Sequence, residues 1–226
     1  MNTQDKGLRV ASYNIRKAVG LDRRRDPMRI LAVLNSLDAD VIALQEADLR
    51  LGARPSALAR NLIEAETDFA VVPVARNDVS IGWHGNAVLI RKGMAHGTIT
   101  HLDLPGLEPR GAVRVDLGRF SLVATHLGLM RRHRHGQLRV IAKALEGAPR
   151  AVVAGDFNEW SPRKGLEPLA RFAVHAPGRS FHAARPVAAL DRIAVSGGLE
   201  VRDAGVVQEG LARHASDHLP IWADIV

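Results

Sequence analysis

The order of strand-like and helix-like segments predicts an α/β fold built on mixed sheets. Three observations carry that expectation. Leu8 to Ile15, a helical spacing from Asp26 to Leu37, and Val41 to Leu44 form a strand–helix–strand crossover unit, which favours a parallel pair within a mixed sheet. Short apolar runs of strand length recur through the rest of the chain with turn residues between them. Several of these runs, such as Val41 to Leu44 and Ala151 to Ala154, are apolar at every position, as strands covered on both faces are.

Taken in order, the first strand ends near Asn14 and leads into a basic loop with Arg16, Lys17 and then Arg23-Arg24-Arg25. Asp26-Pro27 is a helix start, an acceptor at the N-cap and proline at the first helical position, and Ile30, Val33, Leu34 and Leu37 keep helical spacing. The second strand ends in Gln45-Glu46. A helix is expected over Pro55 to Glu66, then strands over Phe69 to Val74 and Gly85 to Ile90. Gly97 to Leu102, Ala112 to Leu117 and Phe120 to Thr125 read as strands, the last two joined by a hairpin at Gly118-Arg119. The basic run Arg131 to His135 reads as a loop before a helix marked by Leu138, Ile141, Ala142 and Leu145. After Ala151 to Ala154, Gly155 is expected to turn the chain and to set Asp156 and Asn158 on one side. A short helix is expected over Pro162 to Arg171, and strands over Leu190 to Val195, Leu199 to Val206 and Leu219 to Ile225.

At 226 residues with 46% apolar content, and with no linker or repeat, a single domain over 1–226 is expected. Cysteine is absent, which excludes disulfides and thiolate metal sites. With no signal peptide or membrane-length apolar run, the cytoplasm is the expected compartment and stable membrane insertion is not expected. Thirty-one basic against 24 acidic residues give a net charge of +7, which attracts polyanions. Aromatic content of 4% argues against a broad base-stacking platform.

The polar exceptions share one kind of place. Asn14, Glu46, His126 and Asp156 each lie at or just past the carboxyl end of an apolar strand, and Asp217-His218 open the final one. If that last strand runs antiparallel to the others, all six gather at one edge. Glu46, Asp156, Asp217, Asn14 and Asn158 form an oxygen-rich set suited to Mg²⁺ or Mn²⁺, with zinc ranked below because no His-Glu-x-x-His spacing occurs. Such a set beside a histidine suits metal-assisted attack of water on a phosphate ester.

Ser12-Tyr13-Asn14-Ile15, Gln45-Glu46, Thr125-His126-Leu127, Gly155-Asp156-Phe157-Asn158, Leu190-Asp191-Arg192-Ile193 and Ser216-Asp217-His218 occur in that order. The series resembles the endonuclease/exonuclease/phosphatase superfamily, from about Leu8 to the C-terminus. The resemblance implies a four-layered sandwich of two mixed β-sheets flanked by helices, with the site at one edge. It implies Glu46 as main metal ligand, helped by Asn14 and Asp217. Asp156 would position or activate the attacking water, and Asn158 would hold the water or phosphate. His218 would be the catalytic histidine, oriented by Asp191, and His126 would stabilise charge on the phosphate. Arg110 would lie against the phosphate. The tyrosine that apurinic endonucleases carry before the arginine strand is missing from Leu104-Pro105-Gly106-Leu107-Glu108, and the apolar hairpin of membrane-acting sphingomyelinases is missing as well.

The expected activity is therefore a divalent-metal-dependent phosphodiester hydrolase with nucleic acid as the leading substrate. The alternatives are phospholipid head groups or small phosphorylated metabolites, or an inactive phosphate-binding module. The two basic runs either track a polyanion beside the cleft or are solvated loops. His84, beside Gly85-Asn86, either lines the site or marks a strand edge.

Overall fold

The structure, a computed structural model, describes residues 7–162 and 164–226. Among the described residues, twelve strands form two six-stranded sheets. In chain order they are β1 (Leu8–Asn14), β2 (Val41–Gln45), β3 (Phe69–Val71), β4 (Ala87–Arg91), β5 (Ile99–Leu104), β6 (Arg110–Asp116), β7 (Ser121–His126), β8 (Ala151–Asp156), β9 (Ala173–His175), β10 (Asp191–Ser196), β11 (Val201–Val206) and β12 (Ile221–Ile225). One sheet has the order β11-β12-β1-β2-β4-β3 and the other β5-β6-β7-β8-β10-β9. The pairs β1–β2 and β7–β8 are parallel and their neighbours antiparallel, so both sheets are mixed as expected.

Side-chain alternation explains the runs that are apolar throughout. Val10, Val41, Val88, Val113, Leu122, Val152, Ile193 and Ile221 face between the sheets and make the central core. Their neighbours face outward. Tyr13, Ile42 and Leu44 meet Ile30 and Leu34 of α1 (Pro27–Ser36) and Ile63 of α2 (Arg60–Glu66). On the other sheet Val123, Val153 and Ala194 meet Leu138 and Ile141 of α3 (Arg131–Ala144). Helix, sheet, sheet and helix form the four layers. The α1 start is as read: the Asp26 side chain accepts from the Arg29 N–H at 3.1 Å, with proline at the first position.

Several boundaries differ from expectation for identifiable reasons. The expected helix over Pro55 to Glu66 is shortened to α2, because the N–H groups of Ser56 and Ala57 donate to the carbonyls of Val79 and Ala47 and so leave the helical ladder. The expected strand over Phe69 to Val74 stops at Val71; the Val72 N–H still donates to the Val88 carbonyl, and Pro73 after it has no N–H to offer. Pro162 to Arg171 holds only a 3₁₀ turn at Glu167–Leu169, and Arg163 lies outside the described residues. β9 and the short α4 (Ala212–Ala215) were not anticipated.

Two further differences bear on the site. Gly155 does not turn the chain; it is part of β8, where a Cβ would lie 1.9 Å from the Thr125 carbonyl oxygen. Glycine is required for β7 and β8 to approach, and that approach sets His126 opposite Asp156. The run Arg131 to His135 is the first turn of α3, not a loop. Its Arg131 and Arg134 both reach the Glu159 carboxylate, at 2.6 and 2.8 Å, and Arg192 donates to the Glu159 carbonyl at 3.3 Å. Two of the five residues of that run are thus a structural clamp on the segment that follows Asp156.

Burial pushes the Glu159 carboxyl up, but the hydrogen bonds from Arg131 and Arg134 outweigh it and hold it down at about 2. Against an unfolded value near ~4.3, that depression contributes on the order of 2–3 kcal/mol at neutral pH. It is present above the unfolded value and lost as pH falls toward 2. Glu159→Gln is therefore expected to lower the unfolding free energy by about 2–4 kcal/mol at pH 7. Urea titrations should show the gap closing as pH falls from about 4.5; a gap independent of pH would contradict this account.

Candidate active site

The central core ends in polar residues at one rim. Asn14 continues the inward-facing series of β1, His126 that of β7 and Asp156 that of β8, so the alternation that buries valines also aims these three between the sheets. Asp191 opens β10 directly across from Asp156 in register. Because β12 runs antiparallel to β1, the segment before it brings Asp217 and His218 to the same rim. Ser216 fastens that segment by donating its hydroxyl to the Asn14 carbonyl at 2.7 Å.

Asp156 is the centre. Its Oδ2 accepts from Asn14 Nδ2 at 3.1 Å, across the two sheets, and lies 3.4 Å from His126 Nε2 and 3.6 Å from His218 Nε2. Its Oδ1 accepts the Asn158 N–H at 2.9 Å. Asn158 sits at a φ of +51°, a left-handed conformation that asparagine tolerates, and its Nδ2 donates to the Leu127 carbonyl at 2.9 Å. Burial pushes the Asp156 carboxyl above the ordinary carboxylate range, the nearby His218 notwithstanding.

His218 and Asp191 form a buried pair, Nδ1 to Oδ2 at 2.9 Å, and the same Oδ2 accepts the Ser180 hydroxyl. Burial alone would lower the His218 imidazole, but Asp191 and Asp156, one near each ring nitrogen, raise it well above its ordinary value. The Phe181 ring covers it with centroids 5.0 Å apart. His126 is the opposite case: burial first, then the charges of Arg110 and His218, hold it far below the usual histidine range, so it is neutral.

Glu46 follows β2 with φ at +52°, and its carboxylate collects cations instead of amides. Lys17 bonds one oxygen and Arg50 the other, the latter at 2.9 Å. Burial works to raise the Glu46 carboxyl, but Lys17, Arg50 and Arg110 outweigh it and keep it ionised. Asp217 lies 3.4 Å from Arg16 Nε, and Arg110 is held by Glu108 at 2.7 Å. Asn14, Glu46, Arg110, Asp217 and the Asp156 group all line one cleft of about 280 Å³. All nine expected site residues thus line it or, in the case of Asp191, stand directly behind it.

The oxygen donors of Glu46, Asn14 and Asp217 suit a hard divalent cation, and the two positive side chains already drawn to Glu46 mark a position where positive charge is favoured. A second grouping, Asp156, Asp191 and His218, has donor atoms within 4.8 Å of one another. There the Asp191 oxygen facing the ring is already occupied by His218 and Ser180, which is the geometry of an oriented histidine.

Sequence reading missed Ser180, Phe181 and Glu159, which support the site through contacts distant in sequence. His84, left open between site and strand edge, lines a pocket that also includes Glu46 and Arg110. No helix among the described residues is long and apolar enough to cross a membrane.

Comparison with known proteins agrees with this fold. The protein YbhP of Escherichia coli (strain K12) is 28% identical over 99% of this chain and 98% of its own. Among solved structures, the mannosyl-6-phosphatase Bt3783 of Bacteroides thetaiotaomicron superposes with a TM-score of 0.73 at 18% identity, covering 97% of this chain and 99% of that one. D. rerio TDP2, complexed with a single-strand DNA product, also gives 0.73 at 18% identity, covering 98% and 100%. These two likenesses establish the fold. The sequence model of the Endonuclease/Exonuclease/phosphatase family matches residues 11–218, nearly the whole chain, and the chain therefore belongs to that family of phosphoester hydrolases.

Proposed function

We propose that this protein is a divalent-metal-dependent phosphodiester hydrolase whose leading substrate class is nucleic acid. The observation that carries the reading is the Asp156 carboxylate between two imidazoles of opposite character, one of them backed by Asp191. In this reading Glu46, with Asn14 and Asp217, holds Mg²⁺ or Mn²⁺. Such an ion, when bound, polarises a phosphoryl oxygen and neutralises developing negative charge.

The chain's own groups then divide the remaining work. Asp156, made more basic by burial, accepts the proton of the attacking water, and the side chain of Asn158 holds that water or the phosphate. Protonated His218 faces the phosphate and stabilises the charge that builds there, while Asp191 fixes its ring and protonation state. Neutral His126 supplies a hydrogen bond without competing with the cation for charge, and Arg110 grips a non-bridging oxygen.

Nucleic acid is favoured by the net charge of +7 and by TDP2, whose structure holds a DNA product. A second reading, a small phosphorylated metabolite or a lipid head group, is supported by exposed apolar side chains on the cleft side, Leu129 and Trp160, and by the mannosyl-6-phosphatase. Plasmid DNA, single-stranded oligonucleotides, bis-p-nitrophenyl phosphate, phospholipids and sugar phosphates separate the two. Intact DNA and RNA alongside hydrolysed lipid or sugar phosphate would end the nucleic-acid reading.

Asp156→Asn and His218→Ala are expected to lower kcat on bis-p-nitrophenyl phosphate by about 10²–10⁴-fold with folding retained by circular dichroism. Rates equal to the native chain's would remove the catalytic roles given to Asp156 and His218. Asp191→Asn takes away the charge that keeps His218 protonated, so the alkaline limb of the kcat–pH profile is expected to move to lower pH, with kcat falling more than KM changes. A limb that stays in place would rule out the orienting role. Chelation should abolish activity and Mg²⁺ or Mn²⁺ restore it, and Glu46→Gln is expected to raise the metal concentration for half-maximal rate by about tenfold or more; an unshifted metal titration would move the ion elsewhere.

A further inference from the structure

A second, smaller pocket opens beside the catalytic cleft and shares Glu46, Arg110 and His126 as wall residues. Arg50 and Glu108 are shared as well, its own walls are Asp48, Arg54, His84, Gly85 and Pro109, and its volume of about 110 Å³ is roughly that of three or four waters, close to the bulk of one phosphoryl group. None of the hydrolytic steps assigned above uses Arg54 or His84.

The polar groups of this pocket have hydrogen-bonding capacity to spare. Arg54 gives one nitrogen to Asp48 at 3.1 Å and another to His84 Nδ1 at 3.2 Å, while its Nε is buried with no hydrogen-bond partner. His84 Nδ1 also lies 3.1 Å from the Pro109 carbonyl oxygen. A single ring nitrogen cannot both accept from a guanidinium and donate to a carbonyl, so one of those contacts is unmet. Arg54 and His84 are both non-glycine residues in left-handed backbone, at φ of +55° and +49°. Strained residues with unmet polar atoms around a concavity are characteristic of ligand sites.

Charge decides the kind of ligand. Each guanidinium here is paired: Arg50 with Glu46, Arg54 with Asp48 and Arg110 with Glu108. That balance holds only while no divalent ion takes the Glu46 carboxylate, which Arg50 shares with Lys17. Once its charge is met by a divalent ion, Arg50 loses its partner and the pocket becomes net positive. Anion binding in the pocket and cation binding at Glu46 therefore strengthen each other, reciprocally.

Resting on the phosphodiesterase reading, we propose that this pocket receives a second phosphate, next to the one being hydrolysed, so that the enzyme prefers nucleic-acid ends that carry a terminal phosphate. The guanidinium forks around so small a volume match a phosphoryl oxygen face.

The test compares a thymidine dinucleotide bearing a 5′- or 3′-terminal phosphate with the same dinucleotide lacking it, in Mn²⁺. Both kcat/KM and equilibrium binding to the Mn²⁺-loaded protein are measured. A preference of about tenfold or more for one phosphorylated form is expected, falling toward unity in His84→Ala and in Arg54→Gln. Two variants are needed because Arg54→Gln also strands Asp48. Equal handling of all three dinucleotides by the native protein, or a preference that survives in His84→Ala, would overturn the proposal. Hydrolysis of bis-p-nitrophenyl phosphate in the same preparation reports on the catalytic reading separately. The binding ratio judges the pocket even if no dinucleotide is cleaved.

Discussion

The hydrogen bond from Asn14 to Asp156 joins the two sheets at the rim of the sandwich, and the site depends on it. It spans 142 residues of sequence and links β1 of one sheet to β8 of the other. A carboxylate taken out of water costs several kcal/mol unless donors surround it. Here the donors come from the ends of separate strands, so the polar layer is stable only while both sheets keep their register. A slip of one residue in either strand would turn its inward series outward and remove the bond along with the valine core behind it. Packing and chemistry are therefore fixed by the same alternation.

Two carboxylates near one another experience opposite environments. Asp156 lies inside the rim among amides and imidazoles, and burial raises it. Glu46 lies where the backbone turns out of β2, and Lys17 and Arg50 hold it down. One acid is suited to taking a proton and the other to remaining charged beside a cation, a separation set by surroundings and not by residue type. The two histidines divide as well: burial, with the charge of Arg110 added to it, lowers His126, whereas Asp191 and Asp156 outweigh burial and raise His218.

What the sequence disclosed, and what it hid, follows from how local each cause is. Asn14, Glu46, His126 and Asp156 were legible because a polar residue ending a buried strand interrupts a pattern visible within a few positions. The α1 start was legible because its cap lies one residue from its proline. The start of α2 was not, since Ser56 and Ala57 are diverted by backbone partners 23 and 10 residues away. Gly155 was placed in the right motif and given the wrong role, because its cause, the Thr125 carbonyl on a neighbouring strand, is a tertiary contact. The helical start at Arg131 carries no side-chain cap and has a glycine five residues on, so nothing local announces it. Ser180 and Phe181 gave no signal at all: their importance comes from lying against Asp191 and His218 in space.

The arginines show why a basic composition is a poor map of a binding surface. Many of them are used internally, Arg9 against Asp224, Arg29 against Asp22, Arg91 against Asp38 and Asp40, and Arg131 and Arg134 against Glu159. A polyanion would meet a surface on which much of this charge is already paired, and long-range attraction between paired charges and a phosphate backbone is weak at physiological ionic strength. At the cleft the pairing is conditional instead, because the partner of Arg50 is the very carboxylate suited to a cation. Positive potential would then appear where and when the metal arrives, which ties recognition of a phosphate to readiness for its hydrolysis without requiring a broad basic groove.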